Sequence, residues 1–119
     1  MNKICTSIEQ SKKLIELGIN VNTADMHYST WTILNEGEYI LSPNQGQTIE
    51  ELQEDYGNHV IPAWSLSALM ELIPPGNILL RDKLCGEYKY INSVDTNFYD
   101  NPLDAAFEMI LRLRELNLL

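Results

Sequence analysis

The stretch YSTWTILNEGEYIL, Tyr28–Leu41, decides the fold class. Trp31 and Ile33 alternate with Thr32 and Leu34, and Tyr39 and Leu41 flank Ile40. A period of two sends successive side chains to opposite faces of a strand, so the pattern predicts two paired strands. Asn35-Glu36-Gly37-Glu38 supplies the turn, with Gly37 free to take positive φ. A second stretch, Asn77–Val94, repeats the arrangement. NILLRDKL and EYKYINSV flank Cys85-Gly86, with Tyr88 and Tyr90 on one face and Lys89 expected opposite Arg81 or Asp82. Strand pairs separated by helical segments lack the spacing of parallel crossovers. They predict an α+β fold, an antiparallel sheet from two β-hairpins with helices packed on one face.

The helices carry start and stop signals. Thr6 and Glu9 read as a capping box, Gly18 as the left-handed stop, and Ile19 as the apolar residue a Schellman cap sets against Leu14, predicting a helix over 7–17. Thr48 and Glu51 form a second box ahead of Ile49, Leu52 and Tyr56, with Gly57 as the stop. In IPAWSLSALMELIPP, Ile61–Pro75, Ser65 reads as the N-cap and Trp64 as a hydrophobic staple to Leu69. Leu66, Leu69, Met70 and Ile73 form the apolar stripe, and Pro74-Pro75 ends the helix. The last helix opens on Asn101-Pro102, with Leu103, Ala106, Phe107, Ile110 and Leu113 facing a core and Glu108 pairing Arg112.

A chain of 119 residues that is 45 % hydrophobic fits one globular domain, residues 1–119. Cys5 and Cys85 are too few for a disulfide framework and read as small apolar fillers. The N-terminus MNKICTSIEQ lacks the apolar run of a signal peptide, and no window is long enough to span a membrane, so a cytoplasmic location is expected.

The net charge of −9 is unevenly placed. No lysine or arginine lies between Leu14 and Leu80, where nine acidic residues do, while acids and bases cancel in the flanks. An acidic surface repels phosphate backbones, which argues against direct nucleic-acid binding and fits a basic protein partner.

Chemistry-bearing residues are few. Asp25 and His27, two apart on a strand, would point the same way, as an acid–base or metal site requires. His59 is the only other histidine, and no metal-ligand spacing surrounds either. Glu50, Glu51, Glu54 and Asp55 are dense but lack a calcium-loop pattern. Nucleophile elbows, phosphate loops and dinucleotide fingerprints are all missing, so neither a cofactor nor a metal is expected.

The segments Cys5–Tyr28, Ile61–Pro74 and Asn101–Leu119 together resemble a family of short proteins encoded by gut Bacteroides-type bacteria and by their phages and other mobile elements. That family has no assigned activity, so the resemblance transfers no residue role. It implies a bacterial cytoplasm and a mobile-element context.

The sequence thus points to a small acidic, non-enzymatic interaction protein. Its candidate surface comprises Trp64, Tyr28, Trp31, Glu50, Glu51, Glu54 and Asp55. One alternative is a small-ligand binder or enzyme with a pocket near His27 and Trp64, lined also by Tyr28 and Trp31. Another is an acidic mimic of DNA that occupies a DNA-binding protein.

Overall fold

The structure is a computed structural model that describes residues 3–30, 39–56 and 60–119, with the Tyr56 side chain excepted. The class is α+β, with antiparallel strand pairing throughout the described residues. Trp31, His59 and the turn around Gly37 lie outside the described residues. The chain falls into two compact units, Ser7–Ser65 and Met1–Thr6 with Leu66–Leu119.

In the Ser7–Ser65 unit, α1 spans Ile8–Glu16. Its cap is Ser7 rather than Thr6. Ser7 Oγ accepts from the Gln10 amide at 3.1 Å, and Gln10 Oε1 accepts from the Ser7 amide at 3.0 Å. Two boxes overlap here, and the one beginning at fully buried Thr6 is not the one that caps the helix. The helix ends as a Schellman motif: Gly18 N–H donates to Ile15 O and Ile19 N–H to Leu14 O, with Gly18 at φ 83°.

A 3₁₀ turn at Val21–Thr23 leads into β1, Met26–Thr30, which pairs with β2, Tyr39–Pro43. The register sets His27 opposite Ser42 and Tyr28 opposite Leu41. Helix α2, Ile49–Tyr56, is capped as expected: Glu51 N–H donates to Thr48 Oγ1 at 3.1 Å, and Glu51 Oε1 accepts from the Thr48 amide at 3.2 Å. The third strand, β3 at Ile61–Ala63, was not expected from the sequence. It pairs with β1 and gives the order β2-β1-β3, so the two hairpins found separate sheets and the first gains a strand.

Both edges of this sheet carry a proline, Pro43 in β2 and Pro62 in β3. Asn44 N–H donates to Asp25 O, so residues 25, 27 and 29 turn their amides toward β2, and 26 and 28 toward β3. His27–Pro62 and Met26–Pro43 are then non-hydrogen-bonded pairs. The amide each proline lacks would have pointed outward, so the ladder loses nothing.

In the other unit, α3 spans Leu66–Leu72 and packs on α4, Pro102–Glu115. Its inward face is Ala68 and Leu69, followed by buried Ile73 just past its end, whereas Met70 is exposed and leaves the expected stripe. Strands β4, Ile78–Arg81, and β5, Tyr88–Ile91, form a two-stranded sheet against α4. Lys89 stands opposite Leu80 rather than Arg81 or Asp82, and its ammonium lies over the Phe98 ring, 5.1 Å from the centroid. Cys5 is buried as a filler should be, but Cys85 is exposed on the hairpin turn.

Helix α4 follows the sequence closely. Asn101 caps it through Asp104 N–H at 2.8 Å, and Leu103, Ala106, Met109, Ile110 and Leu113 are fully buried, whereas Phe107, expected on the core face, is only half-buried. Glu108 does more than pair with Arg112 at 2.8 Å. Its Oε1 accepts from Asn97 N–H at 2.9 Å and from the Tyr99 hydroxyl at 2.8 Å, fastening the segment before the helix. Burial pushes this carboxyl up, but the donors from Asn97, Arg112 and Tyr99 outweigh it and hold it below its ordinary value. Tyr99 is pushed up by its own burial and by the Glu108 charge.

Candidate functional site

The first strand places His27 where its ring can be held from one side. His27 is 7 % exposed, and its Nδ1 lies 2.8 Å from Asn44 Oδ1. Asn44 Nδ2 donates to the Ala24 carbonyl at 2.9 Å. A carbonyl only accepts, so the Asn44 amide has a single consistent orientation, with its oxygen toward the ring. The neutral imidazole must then carry its proton on Nδ1, and Nε2 is left with the lone pair.

That nitrogen has no hydrogen-bond partner among the described residues. No buried side-chain nitrogen or oxygen among them lacks a partner, so Nε2 must be reached by solvent. His27 also lines a concavity of about 330 Å³, together with Ser29, Ser42, Asn44, Gln45 and Gln47, with Pro43 and Leu52 completing it. Strand alternation puts Ser29 on the His27 face of β1, and the register puts Ser42 directly across on β2. The Asn44–Gln47 turn closes the rim, with Gln47 N–H donating to Asn44 O at 3.0 Å. Among the described residues, the lining contains no aspartate, glutamate, lysine or arginine.

Helix α2 borders the concavity through Leu52. Its acids Glu50, Glu51, Glu54 and Asp55 are all exposed, opposite buried Ile49 and Leu52. Glu50 accepts from Asn22, Glu51 caps the helix, and Asp55 accepts from Gln47 at 3.4 Å. No lysine or arginine forms an ion pair with them among the described residues.

Among the described residues, the expected aromatics do not gather around His27. Trp64 is 0 % exposed, and its Nε1–H donates to Thr23 Oγ1 at 2.9 Å, so it is interior and is no part of an interaction surface. It does not line the concavity. Tyr28 follows His27 in the strand and so lies on the opposite face of the sheet. Asp25 does not pair with His27 either. It precedes the strand, and its carboxylate accepts from the Ser65 amide at 2.9 Å and from the Ser65 hydroxyl. Among the described residues, no group of three His, Cys, Asp or Glu side chains is placed to hold a metal ion.

The residues that do surround His27 were missed because SPNQGQ, Ser42–Gln47, reads as an ordinary polar loop. One signal was available: a loop of asparagine, glutamine and serine with no charge, set between acidic segments. No family model, curated protein or solved structure matches the chain. No helix among the described residues is long and apolar enough to cross a membrane.

Proposed function

We propose that the chain is a small binding protein whose Ser7–Ser65 unit takes a neutral, hydroxyl-rich ligand of sugar or polyol type in the His27 concavity. The observation that carries this reading is the bare Nε2 of His27, fixed as an acceptor by Asn44 and Ala24 on a residue that lines a polar hollow. The volume sits at the lower end of the roughly 300–1,000 Å³ usual for ligand sites. A lining of hydroxyls and amides offers donors and acceptors in pairs, as hydroxyl groups require. The acids of α2 beside it oppose an anion.

The test is nuclear magnetic resonance titration with a panel of monosaccharides and polyols, alongside phosphate and carboxylate compounds. Saturable shifts confined to His27, Ser29, Ser42 and Gln45 are expected from a neutral member and not in His27→Phe. Silence of those residues across the neutral panel, or preference for an anion, overturns the reading.

A second reading rests on the acids of α2. Four charges over five residue steps, at ~1.5 Å per step, approach the linear charge density of duplex DNA over a short span. This favours a basic protein partner and is compatible with DNA mimicry. Competition with duplex DNA for a basic DNA-binding protein, weakening steeply with salt, is expected. Salt-insensitive binding, or binding unchanged in the quadruple Glu50→Gln, Glu51→Gln, Glu54→Gln, Asp55→Asn variant, counts against it.

A further inference from the structure

The β4–β5 sheet has one closed edge and one open edge. Beyond β5, Tyr88 exchanges both backbone bonds with Tyr99, at 2.6 and 2.8 Å. Tyr90 N–H donates to Thr96 Oγ1 at 2.8 Å, and its carbonyl accepts from Thr96 N–H at 3.0 Å. Residues 88 and 90 therefore turn their amides and carbonyls away from β4. Lys89 and Ile91 are left to make the ladder bonds to Leu80 and Ile78. In β4 the alternation is then fixed. Ile78 and Leu80 bond to β5, while the amides and carbonyls of Leu79 and Arg81 point outward, with no partner among the described residues.

This edge lacks the protection seen on the other sheet. Neither a proline nor an acid occupies β4, and Ile78 and Leu80 are 48 % and 40 % exposed on its outer face. Exposed aliphatics beside outward-pointing backbone groups are the features that natural edge strands usually avoid. The Arg81 guanidinium stands over the Tyr88 ring, 5.7 Å from its centroid, and has no carboxylate partner among the described residues.

We infer that the outer edge of β4 accepts, as a third strand, an extended segment of a protein partner that carries a carboxylate between aliphatic side chains. Paired outward amides and carbonyls at alternate residues are matched in full only by another extended backbone. Its side chains beside Ile78 and Leu80 are aliphatic, and the opposite face carries a carboxylate for Arg81. A second copy of this chain fits less well. Two-fold registers centred on Leu79, Leu80 or Arg81 set Arg81 opposite Asn77, Leu79 or its own counterpart, and none of these is an acid.

The test is residue-resolved amide exchange on the full chain, with and without the capped heptapeptide Thr-Val-Glu-Val-Thr-Val-Thr. Without peptide, the Leu79 and Arg81 amides are expected to exchange at least about tenfold faster than those of Ile78 and Leu80. With saturating peptide they slow by about tenfold or more, whereas the same peptide with lysine in place of glutamate protects them less. Exposed Arg81→Glu reverses that preference. Absence of protection by the glutamate peptide, or equal protection by both peptides, overturns the inference. So does protection that rises with protein concentration alone, which would assign the edge to a second copy.

Discussion

Asn44 holds His27 by Nδ1 at 2.8 Å and is itself held by the Ala24 carbonyl, so one amide decides which face of the imidazole is basic. The two residues lie on opposite sides of the β1–β2 hairpin. Asn44 follows β2 directly, and the register that pairs His27 with Ser42 brings it to the ring. A polar group that is buried must be hydrogen-bonded, and here a single amide satisfies two.

Asn44→Ala removes the acceptor of a buried ring and the donor to a backbone carbonyl. A loss of about 2 kcal/mol is expected in urea denaturation, within the usual cost of leaving a buried polar group unsatisfied. The variant should also lose the preference for a proton on Nδ1. A change below about 0.5 kcal/mol, the range of a neutral surface substitution, would remove Asn44 from this role.

Glu108 makes acid sensitivity a property of the α4 unit. Its folded-state pKa is depressed, so the stability it contributes is present above the ordinary carboxylate value of 4.5 and is lost as pH falls through the folded-state value. The Tyr99 pKa is raised, so its contribution is complete below the ordinary value of 10.0 and fades as pH rises through the folded-state one. Glu108→Gln offers one acceptor oxygen to three donors and is expected to cost about 1–3 kcal/mol at neutral pH. The gap between wild type and variant should close toward low pH. A gap that stays constant from pH 7 to about pH 3 would contradict the linkage.

Trp64 is fully buried, with its indole N–H on Thr23. Trp64→Phe leaves a cavity and an unused hydroxyl acceptor, and a loss of about 1–3 kcal/mol is expected by thermal or urea unfolding. Trp64→Ala should cost about 3–5 kcal/mol. Wild-type stability in Trp64→Ala would place the indole at the surface after all.

How much was legible depended on distance along the chain. The Schellman stop at Gly18, the box at Thr48 and Glu51, and the Asn101 cap are local, and each was readable from a few adjacent residues. The α1 cap was misplaced by one residue because Thr6-x-x-Glu9 and Ser7-x-x-Gln10 overlap and local pattern alone does not choose. Strand β3 was hidden by its three-residue length and by Pro62, which is tolerated only because its missing amide faces outward. The site was hardest. Asn44 meets His27 across 17 residues, and that contact follows from a strand register, not from a motif.

The proposed ligand site requires that His27 present an unprotonated Nε2 to the concavity. Long-range proton–nitrogen correlation spectra, recorded with the ring neutral, measure it directly. The protonated-nitrogen signature is expected at Nδ1 and the lone-pair signature at Nε2, with the preference lost in Asn44→Ala. A neutral ring protonated at Nε2 would contradict it.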